Sequence, residues 1–198
     1  MPLRSIEKKD VSKCLEIYNY YIENTCHTLE EDKLKLEDFK KRCEDICEKF
    51  PFIVLESDNG KVVGYAYLST FNPRSAYRAT ADLSIYVDKD CLHNHAGEKL
   101  LKEIENRARE RGITNLISIV TDENVNSLNF HLKNGFVLEG TIHDVAVKFG
   151  KVLGVYYLRK PLIWRFKDVN FTDKERGGRE NLVRLAFLQP ELTPDYIV

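Results

Sequence analysis

The run from Thr80 to Phe136 constrains this chain most. It reads TADLSIYV, DKDCLHNHAG, EKLLKEIENRARERG, ITNLISIVT and DENVNSLNFHLKNGF. The first segment alternates apolar and polar residues, as a half-buried strand does. The third carries Leu100, Leu101, Ile104 and Ala108 at helical spacing and ends at Gly112, a residue that tolerates the left-handed conformation of a helix stop. The fourth is a buried strand over Leu116 to Val120. The fifth is a helix capped by Asp122 or Asn124 and closed by Gly135. Strand, loop, helix, strand, helix is therefore the expected order.

The flanking segments extend the pattern. Leu3 to Ile6 reads as a strand, and Asp10 as the cap of a helix with Val11, Cys14, Leu15, Tyr18, Tyr21 and Ile22 inward. A second helix begins near Leu36, turns Phe39, Cys43, Ile46, Cys47 and Phe50 to one side, and stops at Pro51. PFIVLES and KVVGYAYLSTF are strands around an Asp58-Asn59-Gly60 hairpin turn. Two more strands, Phe136 to Val147 and Val152 to Lys160, flank Phe149-Gly150-Lys151. Pro161 ends the pattern. The remaining segment holds GRENLVRLAFLQ, a candidate amphipathic helix with Leu182, Leu185, Ala186 and Leu188 inward. We thus expect a domain over 1–160 and an extension over 161–198.

The 198 residues carry a formal charge of −1, which lacks the basic face a nucleic-acid partner demands. Five cysteines, an odd number without a CxxC pair, suit a reduced, cytoplasmic protein. MPLRSIEKKD has no apolar leader, and no segment approaches 18 apolar residues; neither secretion nor a membrane partner is expected.

Several blocks together resemble the GNAT superfamily of N-acetyltransferases, and within it the phosphinothricin acetyltransferase-like branch. They are LEIYNYYIENTCHTLEE, GKVVGYAYLSTFNPRSAYRATADLSIYVD, NVNSLNFHLKNGFVLEGT and VKFGK. The resemblance spans Leu3 to about Lys160. It implies an α/β (α+β) fold: a mixed, mostly antiparallel twisted sheet flanked by helices, with central strands splayed after Val87. It also implies acetyl-CoA as co-substrate, no metal, and direct attack on the thioester by the primary amine of a small, amino-acid-like molecule. A homodimer is compatible with it.

The resemblance assigns roles by position. Asp82 stands where the branch carries a general-base glutamate, and alternation puts it on one strand face with Ser84 and Tyr86. Asp is shorter than Glu, which favours a water relay of the amine's proton. His131 is the second catalytic candidate, placed near the cofactor sulfur. Tyr86 and Val87 should offer backbone groups to pantetheine, with Val87 N–H a candidate oxyanion donor. Asn124 and Ser127 belong to the cofactor arm. The acceptor pocket should draw on Asn72, Arg74, Tyr77 and Arg78.

The chain departs from the branch at three places. The pyrophosphate loop, Arg/Gln-x-x-Gly-x-Gly/Ala in the family, is here Leu92 to Gly97, with His95 at the first glycine. Side chains of His93 and His95 and the backbone of Ala96, Gly97 and Glu98 are the remaining phosphate ligands, so weakened CoA binding is expected. Asn72 replaces a cation that would clamp a substrate carboxylate. Val152 and Gly154 replace Trp and Asp. Cys91-x-His93-x-His95 lacks a fourth ligand for zinc. These departures keep a second reading open: a degenerate domain that binds CoA weakly or not at all and serves as an interaction module.

Overall fold

A computed structural model describes residues 2–92 and 95–162. The expected helix over GRENLVRLAFLQ, and the extension beyond residue 162, lie outside the described residues. Among the described residues seven strands form one sheet: β1 (Leu3–Ser5), β2 (Phe52–Glu56), β3 (Val62–Thr70), β4 (Thr80–Val87), β5 (Asn115–Thr121), β6 (Val137–Lys148) and β7 (Lys151–Pro161). Four helices accompany them: α1 (Val11–Asn24), α2 (Leu36–Lys49), α3 (Ala96–Glu110) and α4 (Val125–Lys133). The sheet order is β1-β2-β3-β4-β5-β7-β6. Only β4 and β5 pair in parallel, because α3 carries the chain back across the sheet between them.

The alternation of the strands sorts the sheet into two cores. Ile53, Leu55, Ala66, Leu68, Leu83 and Leu116 pack with Leu100 and Ile104 of α3. On the opposite face Phe52, Val54 and Tyr65 pack with Tyr18 and Ile22 of α1 and Phe39 and Cys43 of α2. Tyr86 joins this second cluster, so by period two Asp82 and Ser84 face α1 and α2 as well.

Two local expectations change, and one open alternative is decided. Asp10 does not cap α1 with its side chain. It is buried and accepts two hydrogen bonds from Arg4, at 2.6 and 2.9 Å, and one from Glu7 N–H. A buried carboxylate gains more from a bidentate guanidinium than from a helix end. Cys47, expected inward, is exposed, since α2 buries only a narrow stripe. Of the two candidate caps for α4, Asn124 is the one that accepts from Ser127 N–H. The Asp122 carboxylate accepts from Gly154 N–H instead.

Candidate active site

The site begins where β4 and β5 part. Their pairing runs only over Thr80–Asn115, Ala81–Leu116 and Asp82–Ile117. Beyond that β4 stays on β3 as far as Val87, while β5 follows β7 to Thr121. The strands are splayed as expected, but the fork opens at Asp82 and not after Val87. Pairing ends there because β5 follows β7 instead, and the register of β4 on β3 sets which groups the fork leaves open. Asp88 N–H donates to Val63 O at 2.8 Å, so alternate residues of β4 address β3. Leu83, Ile85 and Val87 therefore turn their amides the other way, toward a strand that has already departed.

The fork holds a cleft of about 560 Å³, within the size range of small-molecule sites. Leu83 to Val87 form one wall and Ser118, Ile119 and Val120 the other. Asn124, Ser127 and Phe130 close one side, and Tyr21 and His27 border the α1 side. His95, Gly97 and Glu98 bring the N-terminus of α3 to it. Lys99 N–H is the first to bond back, to His95 O, so the N–H groups of Ala96, Gly97 and Glu98 have no partner within the helix.

Of the expected cofactor residues, Tyr86, Val87, His95, Gly97, Glu98, Asn124 and Ser127 line the cleft. Ala96 has its side chain in the core and offers only its amide. His93 lies outside the described residues. Val87 O already accepts from Tyr21 Oη at 2.6 Å, which leaves the Val87 N–H as its free group in the fork. Sequence pattern alone makes Tyr21 a core residue. Its phenol within an apolar stripe is the signal that a polar partner was needed.

The position expected to carry the loop's first glycine keeps a glycine's conformation without the glycine. His95 has φ 53°, the left-handed region where a β-carbon is strained. Its imidazole Nδ1 lies 2.7 Å from Glu98 Oε2. That contact places a carboxylate at the helix end that would otherwise receive an anion. Gly97 serves a different purpose: a β-carbon there would stand 3.2 Å from Phe130 Cε2, so its smallness lets α3 approach α4.

Asp82 sits at the apex of the fork. It is partly buried, and its Oδ1 has no hydrogen-bond partner among the described residues. Burial alone pushes its carboxyl up to about 6, because a desolvated charge is disfavoured.

His131 is not on the cleft surface. It is buried at 5% exposure, and Ser118 and Ser127 stand between it and the cleft. Its Nδ1 lies 2.7 Å from Ser127 O, which can only accept, so Nδ1 carries the proton. Nε2 then accepts from Ser118 Oγ at 2.9 Å. Burial pulls the imidazole below its ordinary value, which keeps it neutral. His131, expected near the cofactor sulfur, thus meets the cleft through Ser118, which lines it. A serine inside the apolar LISIV run was the available signal.

Asn72, Arg74, Tyr77 and Arg78 line a separate depression of about 290 Å³ with Lys49 and Arg111. It shares no residue with the cleft. Thr80 borders the depression, and Leu83 and Ser84 border the cleft, so Asp82 lies on the strand between the two.

Among the described residues no group of three or more His, Cys, Asp or Glu is arranged for a metal. No helix of those residues is long and apolar enough to cross a membrane.

Residues 3–153 match the acetyltransferase (GNAT) domain family. A phosphinothricin N-acetyltransferase of Alcaligenes faecalis is 31% identical over 162 residues, which cover 81% of this chain and 82% of the relative. An L-amino acid N-acyltransferase of Escherichia coli is 29% identical, covering 82% and 94%. Among solved structures, a phosphinothricin acetyltransferase of Sinorhizobium meliloti in complex with acetyl-CoA superposes with a TM-score of 0.78 at 28% identity, covering 81% and 87%.

Proposed function

This chain belongs to the GNAT acetyltransferase family, as an acetyl-CoA-dependent N-acetyltransferase, and from that premise we propose that it acetylates the primary amine of a small, amino-acid-like molecule, with Asp82 as the base. Acetyl-CoA supplies an activated acyl thioester when bound. The fork suits its extended arm, since the unpaired amides of Leu83, Ile85 and Val87 match a chain of amide groups. The N-terminus of α3 suits the phosphates less well, because Glu98 brings a negative charge to it.

The observation that carries the reading is a solvent-poor carboxylate at the point where the fork opens. An amine arrives as an ammonium and must lose a proton before it has a lone pair. Asp82, with a carboxyl near 6, is ionised above that pH and is a stronger base than an exposed aspartate. Its side chain is short, so one water passes the proton from nitrogen to Oδ1. The Val87 N–H, freed from β5 and fixed through the Tyr21 bond to Val87 O, is suited to donate to a developing oxyanion. Ser118 and His131 act together on the opposite wall, with His131 setting the direction of the hydroxyl proton.

The test is the pH profile of kcat/KM with an amine panel. The rate should rise with pH through about 6, the value for Asp82, and Asp82→Asn should abolish that limb. A profile unchanged by Asp82→Asn removes Asp82 from the chemistry.

A further inference from the structure

The depression that gathers Asn72, Arg74, Tyr77 and Arg78 apart from the cleft is strongly charged. Lys49, Arg74, Arg78 and Arg111 line it, all of them exposed, and no carboxylate lines it with them. None of these four forms an ion pair among the described residues. Like charges on one concave wall repel one another and focus a positive potential into the space between them. Thr70, Ser75 and Thr80 add hydroxyl donors to the lining.

Two of the cations have an ordinary explanation. Lys49 ends α2 and Arg111 follows the last residue of α3, where a cation complements the helix dipole. Arg74 and Arg78 have no such role. They flank the single 3-10 turn Ser75–Tyr77 between β3 and β4. That turn is held by other groups: Asn72 Oδ1 accepts from Arg74 N–H at 3.0 Å, and Tyr77 N–H donates to Arg74 O at 3.0 Å. The Arg74 guanidinium makes no hydrogen bond among the described residues. Arg78 makes one long contact, from Nη1 to Ser75 O at 3.4 Å. Most donors of both forks stay open.

The charge is also local. The adjoining groove shares Lys49, Phe50 and Thr70 but carries Asp38 and Asp45 as well, so no continuous basic stripe crosses this surface as a nucleic-acid backbone would require. A compact anion with several charged oxygens fits better. Guanidinium forks match phosphate oxygens bidentately, and a volume of about 290 Å³ lies at the lower end of small-molecule sites. We infer that this depression binds a phosphate-bearing small molecule, separately from the acetyl-CoA cleft. The phosphates belong to a free polyphosphate or to a nucleotide. Tyr77, 42% exposed and met by the Phe71 ring at 5.6 Å, is the side chain on which a base would stack.

The experiment is calorimetric titration of the full chain with tripolyphosphate, in about 0.15 M salt to screen loose surface attraction, with and without saturating acetyl-CoA. Saturable binding is expected in both conditions. The double variant Arg74→Gln, Arg78→Gln should bind about tenfold or more weakly, as the loss of charge-assisted bonds implies, with acetyl-CoA affinity unchanged. No saturable binding in the wild type, equal affinity in the double variant, or displacement by acetyl-CoA each overturns the inference; displacement would put the anion at the α3 N-terminus. Should the double variant fail to fold, the acetyl-CoA-saturated wild type still decides: absence of binding there overturns the site. Adenosine triphosphate separates the two sources. Tighter binding than tripolyphosphate, lost in Tyr77→Leu, assigns a nucleotide; equal binding assigns a free polyphosphate; both results support the site.

Discussion

Replacing Asp82 by asparagine should make the protein more stable and less active at once. A carboxyl raised from its ordinary 3.8 to about 6 signals roughly 3 kcal/mol of unfavourable burial once it is ionised. The sign follows from proton binding. Between pH 3.8 and 6 the folded state keeps a proton on Asp82 that the unfolded state has released, so stability falls as pH rises through that window. Above about 6 both states are ionised and the full penalty is present; below 3.8 both are protonated and it vanishes. An asparagine side chain has nearly the same shape and no charge. Urea unfolding should therefore show Asp82→Asn stabilised by up to about 3 kcal/mol at pH 8, about half that at pH 5, and nearly nothing at pH 3.5. Turnover should fall by roughly 10²–10⁴-fold. A variant no more stable than wild type at pH 8, or one whose gain is the same at every pH, would refute the claim that Asp82 is held in a desolvated position.

His95→Gly should tighten acetyl-CoA binding by calorimetry. It relieves about 1–2 kcal/mol of left-handed strain, offset by about 0.4–1 kcal/mol of unfolded-state freedom, so the melting temperature should barely move; unchanged affinity would refute the crowding of the loop by His95, and weaker affinity would show that His95 itself supplies a contact. Asn72→Arg should leave kcat/KM for phosphinothricin nearly unchanged in a steady-state assay, because Asn72 lines the depression that shares no residue with the cleft; a rise of about tenfold or more, the effect of one charged hydrogen bond worth about 1.5–3 kcal/mol, would join the depression to the acceptor. Ser118→Ala and His131→Asn should lower turnover by similar factors that do not multiply in the double variant, the signature of one coupled pair; fully multiplicative losses would part them.

The fold was legible because its periodicities are strong. The switch from strand to helix spacing across Thr80 to Phe136 and the stops at Gly112 and Gly135 reappear in β4, α3, β5 and α4 almost residue for residue. Local signals failed where tertiary partners prevailed over them. Asp10 had the chemistry of a cap, and Arg4, from a strand earlier in the chain, took it. The position of the fork was illegible for a similar reason. Nothing in TADLSIYV marks where pairing with β5 stops; that depends on β5 following β7 instead.

The site divides along the same line. Residues whose contribution is backbone, such as Val87 and Gly97, can be placed from the order of elements alone. Side chains whose role depends on a partner from another element cannot. His131 shows this most clearly. Its position on α4 is legible, but its depth is not, because depth is set by Ser118 on β5 filling the space between the imidazole and the cleft. Lys148 is the converse. VKFGK looks like a solvated turn, and the two residues beside Lys148 are indeed exposed. Only the folding of the α1–α2 connector over the β6–β7 turn makes that lysine a buried cation. A charged residue one position from solvent therefore cannot be assigned to surface or interior by pattern; what decides it is whether another segment of chain comes to rest on it.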